Sequence, residues 1–571
     1  MRIPWLTRAA LEKRTWPWLA DLLVLAAGLA VLYGVVVLAR IWWSPFAPET
    51  EIRLEPSALP LYASYSLMRM LAAYLLSLAF AITYGYAAAY TRAERFLLPL
   101  LDVLQSIPVL SFLPGLMLAL VAMFPTRQLG LELGAILLIF TGQVWNMAFS
   151  FYSSLRGIPR DLREAARIYR FSAWQRFTQL ELPYAAIGLV WNSMMSVAGG
   201  WFFLMACEMF VLGQRDFRLP GLGSYLQTAA NQGDMRAIAW GLTAMIGLII
   251  LLDFLVWRPV IAWSDKFKFE QVESADAPRS AVLKLLRRSR TLFLLRQKLL
   301  FPLRERIALR FARKASLPEV VAAPAGLLWF GRSLVLAGVL YGAGRAVHLL
   351  AGLGAEEWGL LVRSAGFTFL RVNAALLLGA AWTIPVGVAI GFHPRLARVA
   401  QPFAQIAASF PATALFPVVL LVLVRAGRGM GLASVLLMLL GTQWYILFNV
   451  IAGAMAIPTD LKEAAATFKF SRWQQWRLLI LPGVFPYLVT GLVTAAGGAW
   501  NASIVAEYFH FRGEMLFTTG LGATISHATD TGNFALLMAA TVLMAAIVVT
   551  INRLVWRRLY LLAHTRFKLE G

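Results

Sequence analysis

Apolar stretches of about 20 residues, each long enough to cross the hydrocarbon of a bilayer as a helix, recur along this 571-residue chain. They fall near 19–39, 67–90, 99–123, 132–153, 184–210 and 237–260, and again near 327–350, 368–391, 402–424, 431–454, 484–509 and 535–559. Lipid offers no water to backbone N–H and C=O groups, so such segments must be helices that satisfy those groups internally. With 60% hydrophobic and 14% charged residues the chain is too apolar for a large soluble protein. The expected fold is all-α, a polytopic membrane protein of about twelve transmembrane helices.

The twelve stretches are six written twice. "PRDLREAARIYRFSAWQRFTQLELP", Pro159 to Pro183, and "PTDLKEAAATFKFSRWQQWRLLILP", Pro458 to Pro482, align without a gap at a spacing of 299 residues. Downstream, Gly199, Trp201, Glu208, Gly221, Gly223 and Gly233 match Gly498, Trp500, Glu507, Gly520, Gly522 and Gly532. Upstream, Arg69 and Gly85 match Arg371 and Gly387, and Pro99, Pro108 and Pro114 match Pro402, Pro411 and Pro417. Two tandem membrane repeats are expected, residues 1–270 and 326–571, joined by a basic linker over 271–325.

Alternating sides from a cytoplasmic N-terminus collects Arg92, Arg95, both copies of the quoted segment, the linker and the C-terminal Arg553, Arg557 and Arg558 on one face. That face holds most of the +23 formal charge, which makes it cytoplasmic and puts both termini there. The expected location is a bacterial or archaeal cytoplasmic (inner) membrane. The stretch 19–39 follows Arg2, Arg8, Lys13 and Arg14 as a signal peptide would, but its length and the Arg40 after it suggest a retained anchor. Cys207 is the single cysteine, and the five histidines show no metal-ligand spacing, so neither a disulfide nor a metal is expected. No G-x-x-x-x-G-K-[ST] occurs, so the chain is not expected to bind ATP-Mg itself or to be an enzyme.

The duplicated polar segment has its own local code. Pro159 and Asp161 suit a helix start, and that helix runs through Glu164, Ala165 and Ala166. Ser172 to Gln175 and Ser471 to Gln474 each fit a capping box, which starts a second helix expected to close at Pro183 or Pro482. The small alanine surface would let a partner approach closely. Glu-Ala-Ala followed at a fixed distance by Leu-Pro resembles the coupling loop of ABC importer permeases. Along nearly the whole chain, "FLRVNAALLLGAAWTIPVGVAIGF", "WFFLMACEM", "WNASIVAEY" and the Gly-Leu-Gly pairs at Gly221 and Gly520 look like the nitrate, sulfonate, taurine and bicarbonate branch in fused form.

The resemblance implies coupling residues Asp161, Glu164, Ala165, Ala166 and Arg170, with Asp460, Glu463, Ala464, Ala465 and Lys469 in the second copy. It implies two ATPase subunits as partners, ATP-Mg bound on them, and a periplasmic or lipid-anchored substrate-binding protein. The family usually has glycine where this chain has Arg170 and Lys469. A left-handed conformation at those residues would cost about 1–2 kcal/mol each.

Glu208 and Glu507 fall at the outer ends of their spans, and Arg69 and Arg371 begin spans that start outside. Ionisable residues at one depth face a cavity or each other, so an Arg-Glu latch at the outer gate is one reading and interfacial snorkelling the other. Asn192, Gln105 and Gln405, with Ser111, Asn146, Ser196, Asn449, Thr413 and Thr494, are candidates to line a path or to pack helices. In the linker, Arg279 to Lys314 holds twelve basic residues against Glu305 and is broken at Pro302. It is expected to lie on anionic membrane lipids, with no nucleic acid involved. The resulting expectation is a permease moving a small oxyanion by alternating access. A ferric-iron-type permease or a secondary transporter are the alternatives, and the latter directs attention to Asp102 and Asp253, which have no acidic counterpart in the second repeat.

Overall fold

The computed structural model describes residues 51–91, 93–125, 128–212, 215–267, 280–312, 325–425, 429–511 and 514–566, with 21, 22, 24–26 and 29. The first repeat contains α1 (Leu59–Tyr90), α2 (Glu94–Ser106), α3 (Leu113–Met123), α4 (Leu129–Arg156), the short α5 (Arg160–Ile168) and the long α6 (Ala173–Glu208). A hairpin of β1 (Val211–Leu212) and β2 (Arg215–Asp216) then leads to α7 (Leu222–Gln232) and α8 (Met235–Ser264). The linker forms α9 (Ala281–Arg288), α10 (Arg290–Leu295) and α11 (Phe301–Ala312). The second repeat follows the same plan. It comprises α12 (Ala325–Leu350), α13 (Ala355–Phe392), α14 (Pro394–Ser409), α15 (Ala412–Arg425), α16 (Met430–Ala456), α17 (Thr459–Thr467), α18 (Arg472–Ala506), the hairpin β3 (Tyr508–Phe511) and β4 (Glu514–Phe517), α19 (Leu521–Thr531) and α20 (Phe534–Ala563).

Eight helices among the described residues are long and apolar enough to span as single rods: α1, α4, α6, α8, α13, α16, α18 and α20. The expected spans 99–123 and 402–424 are not single rods. The first is interrupted between α2 and α3. The second bends by 79° between Arg395–Ala408 and Ala412–Leu420. Proline disfavours helical conformation in the residue before it, and Ile107 and Phe410, which precede Pro108 and Pro411, are both extended, with ψ of 128° and 121°. The stretch 327–350 is helical as α12, whereas 19–39 lies almost entirely outside the described residues.

A second expectation also fails. The capping-box helices do not close at Pro183 and Pro482. They run on into the spans through π-helical turns at Phe177–Glu181 and Gln475–Ile480, which precede the prolines. A wider turn gives the proline ring and its missing N–H room without breaking the rod. The linker likewise is not broken at Pro302, because the π segment Arg296–Leu300 carries α10 into α11.

In each repeat one central helix packs between two others: α4 between α1 and α6, and α16 between α13 and α18. The matching glycines make the first contact close. A Cβ on Gly85 would sit 2.9 Å from the Phe151 ring, and one on Gly387 2.7 Å from Val450. Such small-residue contacts are how helices approach in lipid, where no hydrophobic drive separates helix from solvent. The repeats also pack on each other. α14 and α15 lie against α6, the Val109–Phe112 turn lies against α18, and one apolar core containing Met117, Trp201, Phe416 and Trp500 runs through both. Beside α5, the linker helix α11 packs on the first turn of α6.

One polar bond crosses the repeat interface where the backbone is broken. The Leu110 amide, freed just after Pro108, donates to Asn501 Oδ1 at 3.3 Å. Asn501→Leu would leave that buried amide unpaired and should cost about 1–3 kcal/mol in thermal unfolding of the detergent-solubilised protein. Thr490→Val, which removes only an exposed bond to Pro486 within its own helix, should be close to neutral in the same measurement.

Candidate functional site

The ends of α6 and α18 remote from the short helices α5 and α17 are held by buried carboxylates. Glu208 Oε1 accepts from Arg69 Nη1 at 2.7 Å and from Ser66 Oγ at 2.7 Å, and Oε2 accepts from the Gly223 amide at 2.7 Å. In the second repeat Glu507 accepts from Arg371 Nη1 at 2.8 Å, from Thr368 Oγ1 at 2.9 Å and from the Gly522 amide at 2.9 Å. Ser66 and Thr368 complete the circuit by accepting the amides of Leu222 and Leu521, at the first turns of α7 and α19. A buried charge is tolerated only when paired and hydrogen-bonded, and here three elements converge to do so. The Gly-Leu-Gly motif follows from this. A Cβ on Gly221 would lie 2.3 Å from the Glu208 carboxylate and one on Gly520 2.1 Å from that of Glu507.

The two clusters differ in one partner. Arg69 turns its other edge to Glu132, Nε to Oε2 and Nη2 to Oε1, both at 2.7 Å, as a bidentate fork. Arg69, Glu132 and Glu208 are all at most 1% exposed. Arg371, 13% exposed, has no second carboxylate among the described residues and donates instead to Thr518 Oγ1 and Thr519 O.

At the opposite end, α5 and α17 expose Asp161 and Glu164, and Asp460 and Glu463, while Ala166 and Ala465 are buried and Ala165 and Ala464 half-buried. Both helices end in the same closure: Arg170 N donates to Arg167 O and Phe171 N to Ala166 O, with Lys469 and Phe470 repeating it. That closure needs a left-handed residue, usually glycine, and Arg170 and Lys469 adopt it at φ 50° and 52°. Both capping boxes form. Arg163 Nη2 and Lys462 Nζ reach back to the last carbonyls of α4 and α16.

Between the repeats lie cavities. One of 550 Å³ sits beside the carboxylate clusters, with Arg218, Gln227, Asn231, Tyr508, Ser526 and Asp530 among its walls. Tyr508 donates to Asp530 Oδ2 at 2.6 Å, and burial together with that bond holds its phenol well above the ordinary range. A deeper cavity of 190 Å³ is lined by Gln105, Asn146, Thr494 and Asn501, and one of 80 Å³ by Tyr445, Phe202 and Asn501 again.

Residues 58–258 and 383–567 each match the model of the binding-protein-dependent transport system inner membrane component. The chain belongs to that family. It is a multi-pass membrane permease with the permease unit present twice. Relatives include a nitrate import permease of Leptolyngbya laminosa, 27% identical over 32% of this chain and 63% of that protein. A taurine transport system permease of Escherichia coli is 29% identical over 34% and 64%, and a bicarbonate transport system permease of Synechococcus elongatus 25% identical over 34% and 66%. The matched stretch thus spans a little under two thirds of each.

Within the permease, the sequence-derived candidates separate. Arg69 meets Glu208 and Arg371 meets Glu507, while Gln105 lines the 190 Å³ cavity. Gln405 reaches across the repeats to Met194 Sδ at 2.6 Å and to Asp253, which is itself paired with Arg258 at 2.8 Å. Asn192 donates back to Gly188 O of its own helix, as Asn449 does to Tyr445 O. The side chain of Asp102 lies outside the described residues. Glu132, Ser66, Thr368 and Asn501 were not singled out from the sequence. Ser66 and Thr368 carried a findable signal, since both lie three residues before the matching arginines.

Removing Arg69 would strand two buried carboxylates and removing Arg371 only one. Arg69→Met should therefore lower stability by about 3–5 kcal/mol and Arg371→Met by less, in thermal unfolding of the solubilised permease. Adding Glu132→Gln to Arg69→Met should recover part of the loss. Arg170→Gly and Lys469→Gly, which relieve left-handed strain, should each raise stability by about 1 kcal/mol.

Proposed function

We propose that this chain supplies both transmembrane halves of an ABC importer, with ATP hydrolysed on two partner ATPase subunits seated on α5 and α17. The observation that carries this reading is that one unbroken helix joins each docking segment to each carboxylate cluster. α6 runs from Ala173 to Glu208 and α18 from Arg472 to Ala506, next to Glu507. At 1.5 Å per residue the 36 residues of α6 make a rod of about 54 Å. Motion imposed at the coupling end is delivered to the Arg-Glu cluster at the other.

In this reading the coupling end is cytoplasmic, as the basic charge there directs, and both termini lie on that side. The clusters form the outer gate and the 550 Å³ cavity is its vestibule, open to a binding protein. Exposed Ile168, Tyr169 and Phe468 give each coupling segment an apolar tip for an ATPase groove beside Glu164 or Glu463. The chain itself lacks a P-loop sequence, so the nucleotide sits on the partners. The cargo is a small oxyanion, supported by the nitrate, taurine and bicarbonate names of the relatives.

Glu164→Lys with Glu463→Lys should uncouple uptake from ATP hydrolysis while leaving the fold intact. Cysteines near Ala165 or Ala464 should crosslink to the ATPase, and native mass spectrometry should find one permease chain with two ATPase subunits. Normal coupled uptake in the double charge reversal would refute docking at these helices. Vesicles that import a cation or neutral sugar but no oxyanion would refute the cargo.

A further inference from the structure

The two repeats hold their arginines alike on one edge and differently on the other. Nη1 of Arg69 donates to Glu208 and to Pro220 O, and Nη1 of Arg371 donates to Glu507 and to Thr519 O, at the matching positions. The second edge of Arg69 grips the Glu132 carboxylate through Nε and Nη2. At the spacing of 299 residues the counterpart of Glu132 is Gly431, and that of Leu219 is Thr518. The Gly431 position faces the same edge: a Cβ built there would lie 3.9 Å from both Nε and Nη2 of Arg371. Thr518 takes one bond from Nη2, and among the described residues Nε has no acceptor. Glu132 also supplies negative charge in the first turn of α4, whereas the first turn of α16 carries no acidic residue. Helix N-termini favour such a charge.

We propose that the Nε and Nη2 edge of Arg371, beside Gly431, is a binding site for a small oxyanion carrying two oxygens spaced like those of a carboxylate. The first repeat shows that this pocket geometry accepts a carboxylate on an arginine already paired to glutamate, because Glu132 is that carboxylate. The second repeat keeps the arginine, the pairing glutamate and the backbone acceptor, exchanges the tethered carboxylate for glycine, and leaves Arg371 partly open to solvent. A free anion there restores the charge count of the first repeat, one guanidinium to two anions. The planar fork favours nitrate, bicarbonate, sulfonate or carboxylate, whose two oxygens each take one of its parallel N–H groups, over a monatomic ion that both N–H groups must share. The proposal rests on the oxyanion-importer reading only in assigning the site to cargo entry. The site itself is a property of this chain.

The test uses the full chain in lipid nanodiscs at constant ionic strength, titrated with nitrate or acetate in place of chloride and followed by calorimetry and thermal unfolding. The wild type should bind one equivalent and melt at a higher temperature as it does so. Gly431→Glu, whose Cβ would meet Thr518 and Arg371 only at ordinary contact distances of 3.8 and 3.9 Å, should bind at least tenfold more weakly and melt independently of the anion. Arg371→Lys should lose the preference for oxyanion over chloride. Glu132→Gly should add a second equivalent. Unchanged nitrate and acetate binding in Gly431→Glu would overturn the site. So would loss of binding-protein association in that variant with anion binding intact, since the edge would then receive a protein carboxylate. Intact, Gly431-dependent binding in a permease whose assembled vesicles import no oxyanion would sink the cargo reading and leave the site standing.

Discussion

A carboxylate buried in a membrane protein constrains everything near it, and this chain buries two at equivalent places. Glu208 and Glu507 are fully enclosed, so each must have its charge matched and its lone pairs filled from within. The solution dictates the local fold. An arginine comes from α1 or α13, a hydroxyl one turn away accepts an amide while donating to the carboxylate, and α7 or α19 returns its first turn to supply a glycine N–H. The short β hairpins after Glu208 and Glu507 turn the chain back for that return.

Because the clusters sit at the ends of α6 and α18, the integrity of those rods decides whether a displacement near α5 or α17 is felt there. Proline near the start of a span would ordinarily break it. The π turns at Phe177–Glu181 and Gln475–Ile480 keep the rods continuous. The strain in this region is placed instead at Arg170 and Lys469, where α5 and α17 turn back toward the rods. Strained residues of this kind persist only where their surroundings over-determine them. The linker adds an asymmetry, since α11 packs against the start of α6, so the first turns of α6 and α18 have different neighbours.

The repeats have stayed alike where backbone geometry is at stake and diverged where side chains meet the interface between them. Gly85 and Gly387, and Gly221 and Gly520, are kept because a Cβ would collide. Asn501, which holds the Leu110 amide, stands opposite Phe202 of the first repeat, and Asp253 opposite Asn552. Glu132 against Gly431 is the divergence with the largest electrostatic consequence. Two halves of one chain, unlike a symmetric pair of separate chains, can specialise in this way.

The sequence alone determined the helical class, the duplication and the two polar segments with their capping boxes, while the left-handed turn at Arg170 and Lys469 was decided by the structure. The first three are written in local chemistry: apolar run length, a matched spacing, a cap residue. Depth counting also set Arg69 level with Glu208. What the sequence could not say is which groups at one depth touch. Glu132 meets Arg69 across 63 residues of sequence and Ser66 meets Glu208 across 142, and only tertiary packing brings them into one cluster. The same limit produced the errors at proline. A proline signals a break, but whether the helix stops, bends by 79° as between α14 and α15, or slips through a π turn as in α6 depends on what packs against the freed carbonyls and amides.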